Sequence, residues 1–265
     1  MHYIKRGTAS KKIKDLLESS NKKHKENWKL YNKAKKDNQR LPTKPSSTWN
    51  NDIIRNELKI LFLKNCGYCG IHTDKGHEAE VDHFFPKSED LEANLIYNWN
   101  NFIWSCPSCN RKKSSNYPII NPCDEDEMDQ IYFHSADGRY LPFHSSTEDL
   151  KTKFSNTEEY TFINGKNRPE RREYIYRDVL ENHLRRINLI FSLFEVEKEV
   201  KGKNSKEAKE KFTLFQTRKN DFLKLIRCGD YLYLIKYIMD DYISENPNFP
   251  FNFDQAIEDS QYLEQ

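Results

Sequence analysis

The sequence predicts an α+β fold, a mostly helical chain built around a small strand–loop–strand–helix core. Three observations predict it. Apolar residues recur at helical spacing over 10–38, 48–64 and most of the chain from 171 onward. Two strand-like stretches, "EVDHFFPKS" at 80–88 and "NFIWSCPSCNRKKS" at 101–114, break that pattern. One C-x-x-C pair, Cys66 and Cys69, precedes the first stretch, and a second, Cys106 and Cys109, lies in the other.

Composition bounds the class. The 265 residues are 36% hydrophobic and 32% charged, polar for a globular chain but not disordered. No apolar run approaches membrane-spanning length, and "MHYIKRGTASKKIKD" lacks the apolar core of a signal peptide, so the expected location is cytoplasmic. In a reducing compartment, paired C-x-x-C spacing favours a metal over disulfides. Cys123 and Cys228 stand alone. Charge is lopsided. Residues 1–45 hold 14 Lys or Arg and four Asp or Glu, a surplus of +10 against +2 for the whole chain, so the remainder carries −8. Such a basic arm contacts phosphates, docks an acidic partner, or is a solvated helix.

Four segments follow: a basic helical arm at 1–45, a core at 46–122, a mixed connection at 123–170 and a helical region at 171–265. Within the first, 10–38 reads as helix, and the prolines of "RLPTKPSST" mark a linker. Ile54, Leu58, Leu61 and Phe62 form one face of a helix over 48–64 that leads into Cys66. "IYFHSADGRYLPF" reads as a hairpin around Asp137–Gly138. Tyr176, Val179, Leu180, His183, Leu184, Ile187, Phe191 and Phe194 make a long apolar stripe, to be buried in the protein's own core or laid in a partner's groove. A further helix covers 205–227. Asp230 after Gly229 is expected to cap a last one, with Leu232, Ile235, Ile238 and Tyr242 on one face.

The cysteines carry the first chemical reading. Two C-x-x-C turns supply the four thiolates of a structural zinc site, so Cys66, Cys69, Cys106 and Cys109 are the expected Zn²⁺ ligands. The 36 residues between the pairs exceed a compact zinc ribbon, so a functional insert is expected there. His72 and His77 read as loop residues rather than ligands. Pro107 suits the first turn of a helix, where its missing N–H costs nothing.

The order Asp82–His83, then Asn101, then Asn110, with the C-x-x-C pairs on either side, resembles the HNH endonuclease family over roughly 60–120. "VDHFFPKS" is similar to the family's first strand, and "NNFIWSCPSCNRKKS" to its second strand and helix. The resemblance implies a ββα-metal core that hydrolyses nucleic-acid phosphodiester bonds. It implies His83 as general base, Asp82 and the Asn110 oxygen as ligands of Mg²⁺ or Mn²⁺, and Asn101 as the residue that holds the loop and orients His83. Neighbours on a strand point to opposite faces, so a bend is expected at 82–83, with Pro86 as its cause. Lys112 and Lys113 are expected to neutralise phosphates, while Arg111 reads as solvated.

The "MHYIKRG" opening and helical C-terminal half add a resemblance to the PtuB family of Septu-type and retron-associated anti-phage systems. That implies a PtuA-like ATPase of the ABC/SMC type as partner and a possible retron reverse transcriptase with its nucleic acid. The expected substrate is nucleic acid, DNA ahead of RNA, although a site that grips phosphates carries no base information. A stand-alone restriction-like or homing-like nuclease is the alternative, and a non-catalytic zinc-binding docking module is the third reading.

Overall fold

The computed structural model describes residues 3–73, 79–229 and 231–261, so the expectations for His77 and Asp230 lie outside the described residues. The chain divides into two compact units, one of residues 1–134 and 140–168, the other of 135–139 and 169–265.

In the first unit, α1 (Lys11–Lys36) buries Ile13, Leu17, Trp28 and Ala34 and leaves most of its lysines exposed. It is fastened along its length. The Trp28 indole N–H donates to the Tyr97 hydroxyl at 3.0 Å, and the Asn32 amide donates to the carbonyls of Lys87 and Asp90 at 2.6 and 3.1 Å. The helix expected over 48–64 is shorter than its apolar pattern. A 3₁₀ turn at Thr48–Asn50 comes first, then Asn51 turns extended and its side chain accepts from the Ile53 N–H, capping α2 (Asp52–Leu61). Leu63 and Lys64 take φ of 49° and 58°, which ends the helix before Cys66.

The strands β1 (Glu80–His83) and β2 (Phe102–Ser105) pair antiparallel in unbroken register, from Glu80 opposite Ser105 to His83 opposite Phe102. The expected bend at 82–83 is absent, since the Phe84 N–H continues the pattern to the Asn101 carbonyl at 2.8 Å. The helix α3 (Pro107–Lys113) starts at Cys106, with Pro107 in its first turn. Then come α4 (Glu125–Met128), the paired strands β3 (Ile131–His134) and β4 (Arg139–Pro142), and α5 (Glu148–Tyr160). Of these, the sequence predicts only the hairpin. Thr147 caps α5 by accepting from the Leu150 N–H.

The helices of the second unit begin with α6 (Arg168–Arg177), which continues through a π-helical segment, Asp178–Leu184, into α7 (Arg185–Lys201). Then come α8 (Lys206–Cys228), α9 (Leu232–Glu245) and α10 (Phe253–Gln261). Gly202 and Gly229 take φ of 84° and 81° where α7 and α8 stop. Val179, Leu184, Ile187 and Phe194 are buried with Phe215, Phe222, Ile226, Ile235 and Ile238. These four residues of the 176–194 stripe therefore face this unit's own core and not a partner's groove, because α7 packs along α8 and the helical spacing serves that contact. Among the described residues no helix is long and apolar enough to cross a membrane.

Candidate active site and metal centre

The two knuckles meet at the end of the strand pair. The Gly70 N–H closes the first turn onto the Cys66 carbonyl, and the Gly67 N–H donates to the Trp104 carbonyl at 2.9 Å, tying that turn to β2. Gly67 is needed there: a Cβ would lie 2.7 Å from Phe62 Cε1 and 2.9 Å from Ile103 Cγ2. Cys106 serves twice, as knuckle residue and as N-cap of α3, where its sulfur accepts from the Cys109 N–H.

All four cysteines are buried, and their Sγ atoms lie within 4.8 Å of one another. Cys69 and Cys106 stand 3.9 Å apart, close to the ~3.8 Å between thiolates at about 2.3 Å from a tetrahedral ion. Burial pushes the Cys66 thiol well above its ordinary range, and a dication is the group that would hold it as thiolate. The donor set fits a structural metal.

Beside the knuckles, β1 divides its side chains between two faces. Glu80 and Asp82 share one face with α3. The Asp82 carboxylate accepts from the Tyr68 hydroxyl at 2.6 Å and pairs with Lys113 Nζ at 3.2 Å. Burial raises the Asp82 carboxyl, and the Lys113 charge opposes that rise. The Asn110 amide nitrogen donates to the Glu80 carboxylate. A carboxylate can only accept, so the bond orients the amide and leaves Oδ1 of Asn110 free of it. Asp82 and Asn110 line one cavity of about 300 Å³. Two oxygen donors at one cavity fit a hard divalent cation, whose other positions water would fill.

His83 lies on the opposite face, 1% exposed, its ring edge-on to Trp49 and to Phe102. Nε2 sits 2.9 Å from the Ile96 carbonyl. Because a carbonyl only accepts, Nε2 carries the hydrogen and Nδ1 keeps the lone pair. Nδ1 accepts from Lys87 Nζ at 3.4 Å, and Lys87 also lines the cavity that holds Asp82 and Asn110. Burial, aided by the Lys87 charge, pushes His83 well below the ordinary histidine range, so the ring is neutral near pH 7. Asn101 clamps the loop between the strands. Its Oδ1 accepts from the Phe85 N–H at 2.7 Å, and its Nδ2 donates to the carbonyls of Phe85 and Leu95, both at 3.1 Å. Leu95 immediately precedes Ile96, whose carbonyl holds His83.

Lys112 and Lys113 occupy other places than the sequence suggests. Lys112 Nζ donates to the Glu158 and Thr161 carbonyls at 3.2 and 2.6 Å, at the C-terminal end of α5, where a cation is favoured. Lys113 is fully buried and holds the His83 carbonyl at 2.8 Å as well as Asp82. The cationic side chains at the cavity are Lys35, Lys44 and Lys87 instead. Glu80 and Tyr68 bond to candidate site residues, and the sequence reading does not reach either of them. Glu80 is open to inference, since it stands two residues from Asp82 on one strand face. No local signal marks Tyr68.

The HNH endonuclease family profile matches residues 66–116. Septu protein PtuB of Bacillus thuringiensis is 37% identical over 99 residues, 36% of this chain and 38% of that protein. Septu protein PtuB of Bacillus mycoides (strain KBAB4) is 27% identical over 121 residues, 34% of this chain and 41% of that protein. The chain thus spans about two fifths of the length of the curated relatives it matches. No solved structure matches it.

Proposed function

We propose that the protein is a metal-dependent nuclease that hydrolyses phosphodiester bonds in an anti-phage defence system, a reading supported by the HNH endonuclease profile match over residues 66–116 and by the similarity to PtuB. One observation carries the reading. A neutral His83 presents Nδ1 to Lys87, and Lys87 shares a cavity with the oxygen donors Asp82 and Asn110. Cation donors and a phosphate-pairing charge therefore line one space, and the base stands behind Lys87, 3.4 Å from its ammonium.

In this reading His83 Nδ1 takes the proton of the attacking water, while the Ile96 carbonyl keeps the Nε2 proton in place. Lys87 leaves Nδ1 and pairs with the phosphate, so one ammonium caps the base at rest and holds the substrate during reaction. Asn101 and Lys113 are positioning residues. The first fixes the loop that carries Ile96, and the second fixes the His83 backbone and the Asp82 carboxylate. Glu80 turns the Asn110 amide. Mg²⁺ or Mn²⁺ held by Asp82 and Asn110 would supply charge stabilisation for the phosphorane and the departing oxygen. Zn²⁺ in the four-cysteine cluster would be structural.

The resemblance to PtuB supports a PtuA-like ABC/SMC-type ATPase as partner, while the names of the relatives give no support for a retron reverse transcriptase. The test is incubation with plasmid, phage DNA and tRNA, with and without Mg²⁺ and with and without the ATPase. Mg²⁺-dependent cleavage that vanishes in His83→Ala is the expected result. Equal cleavage by His83→Ala would remove the assignment.

A further inference from the structure

The cavity at Asp82 and Asn110 does not stand alone. It is lined by Lys35, in the last turn of α1, by Lys44, in the linker, and by Lys87. A second cavity of about 650 Å³ is lined again by Lys44, Lys87 and Asn110 and extends to Arg55 of α2. The two share those three residues, so Asn110 sits where they join and cations lie along both arms.

The wall that carries Lys35 is built rather than incidental. Asn32, one turn earlier, is bonded to the backbone of Lys87 itself. Lys33, Lys35 and Lys36 all answer the negative end of the α1 dipole, yet of the three it is Lys35 that lines the cavity. Lys44 ends no helix and lies between Pro42 and Pro45. Both lysines are exposed. Burial disfavours protonated Lys87; the Asp82 carboxylate opposes this, and the charges of Lys44, Lys113 and Lys35 add to it. An anion laid among them relieves that repulsion. The acids on the same walls are Asp82, Glu80 and Asp52. The first is a proposed cation ligand, the second is engaged with Asn110, and the third sits in the first turn of α2.

We propose that α1 and the linker after it form one wall of a substrate track, in which Lys35 and Lys44 hold phosphates of a phosphodiester strand beside the bond placed at Asn110. The ligand is a nucleic-acid backbone, and the assignment rests on the nuclease reading above. The basic segment is then part of the substrate site and not a docking arm.

The experiment measures binding of labelled 20-nucleotide single strands, one DNA and one RNA of matching sequence, by anisotropy across a salt series. The full chain carrying His83→Ala serves as parent, so the probe is not cut. Removing one lysine–phosphate pairing should lower the slope of log affinity against log salt by about 0.7. Lys35→Met and Lys44→Met should each do so and weaken binding several-fold, with thermal transition and zinc content unchanged. Lys22→Met, exposed on α1, is the control and should keep the parent slope. The arm that binds tells DNA from RNA. Parent slope in both Lys35→Met and Lys44→Met, or an equal loss in Lys22→Met, overturns the track. If the parent binds neither strand, the track falls, while the nuclease reading stands or falls by the cleavage test above.

Discussion

The two units reach order by opposite means. Between residues 82 and 113 the first unit buries Asp82, His83, Asp90, Asn101, Ser105 and Lys113. In the second, the buried polar side chains among the described residues are Arg172 and Ser260, and the interior is otherwise aliphatic and aromatic. Buried polar groups cost stability unless paired. The first unit pairs them: Asp82 with Tyr68 and Lys113, Asp90 with the N–H groups of Asn94 and Leu95, Asn101 with three backbone groups. One unit gives its interior to positioning groups, and the other to apolar packing. A substitution should therefore remove a bonded partner in the first and open a cavity in the second.

The sharpest way to break this contrast is the metal. Structural zinc in small sites contributes on the order of 10 kcal/mol. Chelation, or Cys109→Ser, should unfold the knuckle region while α7 and α8 keep their helicity. Hydrogen exchange read separately over 62–122 and 185–228 checks this. Equal loss of protection in both segments would make the units one cooperative body.

Next in size is His83→Ala. Removing the proposed base should lower cleavage by about 10² to 10⁴. Zinc content should hold while the thermal transition falls, because a packed ring and its bond to the Ile96 carbonyl are lost; cleavage read well below that transition separates chemistry from folding.

For the second unit, the matching test is Phe222→Ala. Its ring is fully buried and lies 5.4 Å from His183 and 6.2 Å from Phe251. Loss of a buried phenyl should cost about 3 to 5 kcal/mol. Denaturant unfolding should register that loss, with zinc retained at one ion per chain.

The smallest effect is a pH dependence. Burial lowers the His183 pKa from its ordinary 6.5; Asp178 and Asp221 oppose this, and Arg218 and Arg186 add to it. Below 6.5 the unfolded chain binds a proton that the folded one resists. Stability from this group is therefore constant above pH 6.5 and falls as pH drops through the lowered folded value. His183→Gln should flatten the slope below pH 6.5, and a slope unchanged by that substitution would assign it elsewhere.

Legibility in the sequence follows the same division. In the core, residue type speaks: cysteine spacing, the Asp–His pair and the two asparagines mark the site, because few roles suit those types in that order. Their partners are silent. Nothing near Lys113 says that its ammonium turns inward to Asp82, and nothing near Lys35 says that α1 folds along the cavity. Those contacts join residues 31 positions apart and more, and local pattern does not carry them. In the second unit periodicity places α7, α8 and α9, but a stripe looks alike whether its cover is another helix or another protein. Only α8, lying on it, decides. The helix expected over 48–64 overruns because apolar spacing does not register the Asn51 cap.

The two knuckles lie 36 residues apart in the chain. At 5–20 residues per second, a ribosome takes roughly 2 to 7 s to make that interval. Throughout it Cys66 and Cys69 have emerged without Cys106 and Cys109, and a two-thiolate half-site is open to oxidants and to softer metals such as Cu(I). With zinc as the proposed ion, maturation would be timed by translation: the second knuckle would have to arrive reduced, with the metal at hand, before the first is spoiled. Cells starved of zinc during synthesis should accumulate chains that later zinc repairs only after reduction.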